Sequence, residues 1–187
     1  MDREKALEIL NKYLHTENLV KHSFAVEAVM RALAERLQPD KVDEWGIAGL
    51  LHDLDADLVD YRNYPEKHGP KAIELLKQHN FGNEEMHHAI LAHNKATGVE
   101  AKSNFYIALY AADPITGFIT AIALVYPDKK LSSVKVKSIT KRMNELRFAA
   151  GADREAMRSI EKVGIPFVEF AELSLKAMTA IADQLGL

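Results

Sequence analysis

The chain has 187 residues, which suits one domain or one domain with a helical appendage. Its 48% hydrophobic content can fill a large core, and its net charge of -3 provides no general attraction for nucleic acid or an acidic membrane. Because cysteine is absent, disulfides and thiolate metal sites are excluded, and nitrogen and oxygen must hold any metal. The charged N-terminus has no signal-like apolar run, and we expect no apolar stretch of the roughly 20 residues that a membrane span needs. The sequence therefore predicts a cytoplasmic protein.

Apolar residues recur at helical spacing along nearly the whole chain, and no segment alternates as a strand does. Six helices are expected first: one after Asp2, one to about Leu37, one capped by Asp40, one beginning at Pro70, one over 83–94, and one from Ser103 to about Val125. Pro127 and Asp128 end this part, and three more helices open at Ser132 or Ser133, at Asp153 and at Pro166, the last ending at Gly186.

This order of elements predicts an all-α fold. Residues 1–126 are expected to form a bundle of about six helices, and residues 127–187 a three-helix C-terminal extension packed on that core.

The strongest chemical signal is His52 followed directly by Asp53, at the end of a helix that otherwise buries leucine. Gly46 and Gly49 precede the pair in the same helix, where each glycine costs about 1 kcal/mol relative to alanine. Two such glycines indicate that another helix approaches closely. A carboxylate directly after an apolar run is also costly to bury unpaired. The alternative is that Asp53 ends the helix at the surface, with Asp55 continuing a polar loop.

His22 and Asp113 are further candidates because each lies on an apolar helix face. His22 could instead be a core histidine bonded to a backbone carbonyl. Asp113 is followed by Pro114, which removes one helical hydrogen bond and disfavours helical geometry at the residue before it. A buried carboxylate at such a kink needs a cation, although a capping aspartate at a helix break is the alternative.

His68 precedes the helix that begins at Pro70, and His93 ends the fifth predicted helix. Each signal is weak alone, since histidines near helix ends are often partners of the helix dipole. His87 and His88 compete with His93 for one ligand role. Together, imidazoles and carboxylates can hold one or two divalent transition-metal ions, and such nitrogen and oxygen ligands suit iron, manganese, cobalt, nickel or zinc.

Five stretches resemble the HD superfamily of metal-dependent phosphohydrolases, in particular its small HDIG-type members. They read KHSFAV at 21–26, AGLLHD at 48–53, KHGP at 67–70, AILAH at 89–93 and AAD at 111–113. The resemblance implies that one metal is held by His22, His52, Asp53 and Asp113. It further implies that His68 and His93 hold a second metal bridged by Asp53, as in HD proteins that cleave dinucleoside tetraphosphates. Where the family has HDIG, this chain has aspartate at position 55 in place of glycine, which puts the turn geometry in question.

The resemblance implies hydrolysis of a small phosphorylated molecule, with a nucleotide as the expected substrate, by water that the metal activates. Asp53 and Lys95 are the predicted catalytic residues. Asp53 would orient the water and accept a proton, whereas Lys95 would stabilise charge on the phosphoryl oxygens. Arg62 and Lys67 are further basic candidates in the loop between the two motifs.

Three alternatives stay open: a mononuclear nucleoside monophosphatase without His68 and His93, a mixed-valent di-iron oxygenase, and a non-catalytic domain that binds a nucleotide or a partner protein. Nucleic acid is not an expected partner, because the basic run over 129–147 lacks interleaved aromatic residues. No membrane partner is expected, and the pattern does not indicate an oligomeric state.

Overall fold

The computed structural model describes all 187 residues and contains helices and turns but no strand, which confirms the all-α prediction. The α-helices are α1 (Arg3–Tyr13), α2 (Glu17–Leu37), α3 (Val42–Leu51), α4 (Pro70–Gln78), α5 (Glu84–Ala92), α6 (Asn104–Leu124), α7 (Val136–Arg142), α8 (Arg154–Arg158), α9 (Phe167–Thr179) and α10 (Ala182–Leu185).

The centre of the bundle is formed by α2 and α6, the two longest helices, which pack against each other. Helix α3 packs along α2, and α5 packs on α6. The C-terminal helices α7, α8 and α9 also contact α6, and Ile139, Met157 and Phe170 join the same apolar core as the first six helices. The extension therefore packs on the core as predicted, while a domain boundary near residue 127 stays a prediction.

The close approach predicted from the two glycines of α3 is confirmed. A Cβ atom on Gly49 would lie 2.9 Å from the carbonyl oxygen of Val26, and one on Gly46 would lie 2.6 Å from the side chain of Arg31. Both contacts are with α2. Because the backbones meet here, the end of α3 comes next to the N-terminal half of α2, where His22 lies.

Helix starts agree with the predicted caps at several points. The side chains of Asp2, Ser103 and Asp153 each accept a hydrogen bond from a backbone N–H of the helix that follows. Two predicted caps are wrong. Asp40 lies inside a 3-10 turn, Pro39–Lys41, and α3 begins only at Val42.

Ser132 and Ser133 likewise do not open a helix. They lie in the 3-10 turn Leu131–Ser133, where the hydroxyl of Ser133 donates to the carboxylate of Asp128, and α7 begins at Val136. A serine whose hydroxyl already bonds a side chain outside the helix does not supply the cap.

The last predicted helix is divided into α9 and α10 by an interruption at Ala180 and Ile181. Pro166 precedes α9 as its N-cap rather than serving as its first residue. Gly186 does end the chain's last helix, in the left-handed conformation with φ +74° that glycine adopts without strain.

Helix α6 agrees with one expectation and corrects another. As predicted for the helix from Ser103 to about Val125, it continues through Pro114, although the proline nitrogen cannot donate to the carbonyl of Tyr110. It is also long and apolar enough to cross a membrane, contrary to the expectation that no stretch reaches that length. Most of its residues are buried between neighbouring helices, as in the core helix of a soluble protein.

Candidate metal centre

The structure brings all six predicted ligands together in two adjacent groups. Within each group, one ligand atom per residue lies within 4.8 Å of the others. The first group comprises His22, His52 and Asp113, and the second comprises Asp53, His68 and His93. They come from α2, from the end of α3, from the loop before α4, from the end of α5 and from the middle of α6.

The carboxylate of Asp53 lies between the two groups. Its Oδ2 is 3.6 Å from Nε2 of His22. Its Oδ1 is 3.4 Å from Nε2 of His52, 3.1 Å from that of His68 and 3.6 Å from that of His93. This carboxylate therefore contacts histidines of both groups.

The imidazoles of His52 and His93 are oriented by the helices that they follow. Nδ1 of His52 donates to the carbonyl of Gly49 over 2.8 Å, and Nδ1 of His93 donates to the carbonyl of Ile90. The last carbonyls of a helix lack helical partners, so a histidine just beyond the end can satisfy one of them. With Nδ1 bonded to these carbonyls, Nε2 of each ring faces Asp53 at the centre.

His22 is oriented by the hydroxyl of Thr116. This hydroxyl donates to the carbonyl of Asp113 over 2.9 Å, so its oxygen accepts from Nδ1 of His22, at 3.1 Å. Nε2 of His22 then lies 3.1 Å from Oδ1 of Asp113. Thr116 thus connects two of the three ligands of the first group, His22 and Asp113, a role that the sequence analysis did not predict.

His68 is oriented by Asp55, a fully buried residue that sequence reasoning placed in a polar loop. Oδ1 of Asp55 accepts from Nδ1 of His68 at 2.8 Å, while Oδ2 accepts from the backbone N–H groups of Gly69 and Ala72 at 2.9 and 3.1 Å. These N–H groups at the start of α4 have no helical acceptor. Asp55 therefore caps α4 and positions a predicted ligand at the same time, and this burial excludes the surface-loop alternative.

The donor set fits a metal ion. Nε2 of His52 is buried without any hydrogen-bond partner. Nε2 of His68 lies 3.0 Å from Nε2 of His93, a contact that requires a proton or a cation between two lone pairs. Two nitrogen ligands at about 2.1 Å from one ion also lie about 3 Å apart. Polar partners on Nδ1 with free Nε2 atoms are the usual arrangement around metal-binding histidines.

The pKa values of the acidic and basic groups in the centre depend on one another. Burial raises the pKa of Asp53, but the nearby imidazoles of His52 and His68 outweigh burial and hold that pKa well below its usual range. Burial lowers the pKa of His68, but the carboxylates of Asp53 and Asp55 raise it to about 10. Without a cation, His68 therefore retains a proton that a metal must displace.

A cavity of about 560 Å³ opens beside the centre and is lined by His22, His93 and Asp113. Its opposite wall comes from the C-terminal extension and includes Gly151 and Asp153. The cavity therefore has one wall of candidate metal ligands and one wall built by the extension.

Lys95 lines this cavity, as its predicted role requires. Its Nζ is 3.2 Å from Oδ2 of Asp153 and 3.1 Å from Oε2 of Glu155, so two carboxylates of the extension partly neutralise it. Arg62 and Lys67 do not line the cavity. The ammonium of Lys67 instead lies 4.2 Å from the ring centre of Tyr64.

The remaining histidine candidates lie away from the centre. Nε2 of His87 bonds the carbonyl of Phe81 over 2.9 Å, and Nδ1 of His88 bonds that of Glu84 over 2.8 Å. Neither belongs to the two groups, whereas His93 does.

Residues 19–124 match the family model of the HD domain, and this range contains all six predicted ligands. Because the match covers more than half of the chain, the protein belongs to the HD domain family. Proteins of this family are generally metal-dependent phosphohydrolases. No match was found among the curated proteins or among the solved structures. The match ends before the C-terminal extension.

Proposed function

We propose that this protein is a metal-dependent phosphohydrolase that acts on a small phosphorylated molecule, with a nucleotide as the expected substrate class. The observation that carries the proposal is the convergence of four imidazoles on Asp53 and Asp113, each with Nδ1 bound to a protein acceptor. When bound, one or two divalent ions would supply a nucleophilic water and neutralise phosphoryl charge. Iron, manganese, cobalt, nickel and zinc all suit these ligands.

The chain's own residues have distinct roles in this proposal. Asp53 lies between the two groups, where its carboxylate can orient a water molecule and accept its proton. Asp55 and Thr116 hold His68 and His22 in position through their Nδ1 atoms. Lys95, at the wall of the cavity, would contact phosphoryl oxygens of the substrate.

The charges around the cavity favour a substrate with a single phosphoryl group. Lys95 is the only lysine or arginine that lines the cavity, and it already contacts Asp153 and Glu155. A long polyphosphate would need several cations besides the metals. A phosphate monoester, such as a nucleoside monophosphate, needs fewer cations.

The second group of ligands bears on the mononuclear alternative. His68 and His93 lie beside Asp53 instead of away from the site, which supports a centre for two ions. A mixed-valent di-iron oxygenase would use the same ligand types, so the reaction itself must distinguish that alternative.

The test is to purify the protein, measure its metal content and screen nucleoside mono-, di- and triphosphates for phosphate release. Asp53→Asn should lose bound metal and lower turnover by more than about 100-fold, because a direct ligand matters more than its outer partners. The matched control is Asp40→Asn, at an exposed aspartate outside the two ligand groups.

Three results would overturn the proposal. Asp53→Asn with full activity would remove the centre from the reaction. Oxygen uptake together with a half-integer-spin paramagnetic signal would assign an oxygenase. A fully metal-loaded protein that hydrolyses no phosphate ester, and that unfolds when a chelator removes the metal, would assign a structural role to the metal.

A further inference from the structure

Gly117 lies in the middle of α6, where neither the backbone nor the packing requires glycine. It is exposed, and its backbone is not among the positive-φ positions. A Cβ atom built on it meets no other atom within 4 Å, whereas one on Gly49 would collide with the backbone of α2. Since glycine is a poor helix former, its presence at this position needs another explanation.

The explanation lies in the two cavities that Gly117 lines. The residue lies one turn beyond Asp113 and directly follows Thr116, which orients His22. Gly117 and His22 both line the cavity beside the centre, and both also line a second cavity of about 390 Å³. Both cavities therefore border Gly117 and His22, and a side chain on residue 117 would project into open space.

The second cavity has a mixed polar and apolar lining. It includes the amide of Asn18, the ammonium of Lys21 and the hydroxyl of Thr120, together with leucine side chains from α6 and α10. Lys21 is paired with Glu17, at 2.7 Å, so its charge is partly neutralised. Such a lining suits an uncharged polar group, such as a sugar or a base, better than a second phosphate.

We infer that Gly117 is a specificity-determining residue, and that the organic group of the substrate extends across it from the first cavity into the second. This inference rests on the proposed function, because it assumes that the phosphoryl group lies at the candidate metal centre. The substrate class that it names is a phosphate ester with a polar, nucleoside-sized organic group. A small ester would occupy the first cavity alone.

The experiment compares Gly117→Ala and Gly117→Leu with the wild-type protein, each loaded with metal. Both variants introduce better helix formers, so we expect the melting temperature to rise by about 2–4 °C for alanine and not to fall for leucine. For Gly117→Leu, kcat/KM for nucleoside 5′-monophosphates should fall by more than about tenfold further than kcat/KM for p-nitrophenyl phosphate. Gly117→Ala should lose activity toward nucleoside 5′-monophosphates relative to p-nitrophenyl phosphate in the same way, but to a smaller extent.

The matched control is Ala121→Leu, one turn further along α6 and outside both cavities. It should not change the preference between the two kinds of ester. Equal losses for both esters in Gly117→Leu, or no loss for either, would overturn the inference.

Binding measurements distinguish a failure of this inference from a failure of the proposed function. If the wild-type protein hydrolyses no ester, calorimetry with inorganic phosphate and with adenosine 5′-monophosphate replaces the rates. If Gly117→Leu then binds adenosine 5′-monophosphate more weakly than the wild type does, but binds inorganic phosphate equally well, the inference is supported although the proposed function fails. The absence of binding of either probe to the metal-loaded wild-type protein would overturn both.

Discussion

The two walls of the cavity beside the centre are built in different ways. The wall from the HD domain includes the candidate ligands His22 and His93, each held by a hydrogen bond at its Nδ1. The wall from the C-terminal extension consists mostly of small residues such as Ala149, Gly151 and Ala152. That segment folds around one guanidinium, since Arg154 donates to the carbonyls of Met143, Glu145, Phe148, Ala149 and Ala152.

This difference indicates that the two walls depend on the sequence in different ways. Replacing a side chain of the HD wall removes a ligand or the group that orients it. Most residues of the 143–152 segment can be substituted without loss of the hydrogen bonds to Arg154, because those bonds are accepted by main-chain oxygens. We therefore expect the first wall to determine the reaction and the second to determine the shape that a substrate must have.

The largest effect should come from Asp55, which orients the candidate ligand His68. Asp55→Asn keeps the shape but removes the anion that accepts from His68 and from the start of α4. Loss of such an outer partner typically costs about 10–100-fold in metal affinity or activity. Metal titration should show the second ion weakened more than the first.

The control for this variant is Asp57→Asn. Asp57 also accepts from backbone N–H groups, those of His15 and Thr16, but it lies outside the centre. Equal weakening of both ions by Asp55→Asn, or equal effects of the two variants, would show that Asp55 does not act through His68.

A fall in pH should weaken metal binding at the histidines of the HD domain and leave the wall from the extension unchanged. In the metal-free protein, burial lowers the pKa of His22, but Asp113 outweighs it and the pKa is raised, while that of His68 is about 10. The ring of His68 therefore holds a proton that a metal must displace, and affinity should fall by about tenfold per pH unit for that proton. Calorimetry from pH 8 to pH 6 in buffers of different ionisation enthalpy measures this release. Affinity that stays constant or increases as the pH falls would contradict the assigned protonation.

A smaller effect is expected at Arg154, in the second wall. Arg154→Gln removes most of the bonds that hold the 143–152 segment, which should lower the free energy of unfolding by about 2 kcal/mol. Metal content should stay unchanged, while KM rises and the segment becomes easier to cleave with protease. Arg147→Gln, in the same segment and exposed, is the control. Loss of metal from the Arg154 variant would show that the two walls are not separate.

The smallest effect is expected at Lys95, which joins the two walls. Lys95→Met should change the free energy of unfolding by less than about 1 kcal/mol, because exposed ion pairs contribute little. We expect kcat/KM to fall by about tenfold or less, since a fully available donor would be worth about 100-fold or more. Steady-state kinetics at low and high salt tests this. An unchanged rate would remove Lys95 from the catalytic residues.

Much of the centre could be predicted because its ligands lie in short local motifs. His52 and Asp53 are adjacent at the end of an apolar helix, and Gly49 shows where α2 approaches. The role of Asp55 could not be predicted in this way. Its partners lie 13 to 17 residues further along the chain, and nothing local shows that the loop turns inward.

The sequence by itself determined the all-α class, most helix starts and the six candidate ligands, because periodicity, capping and motif spacing are properties of neighbouring residues. Only the tertiary structure decided the burial of Asp55, the enclosure of the apolar helix α6 and the wall that Arg154 organises. It also decided that Gly117 borders two cavities. These features depend on contacts between distant segments, which form only when the helices pack.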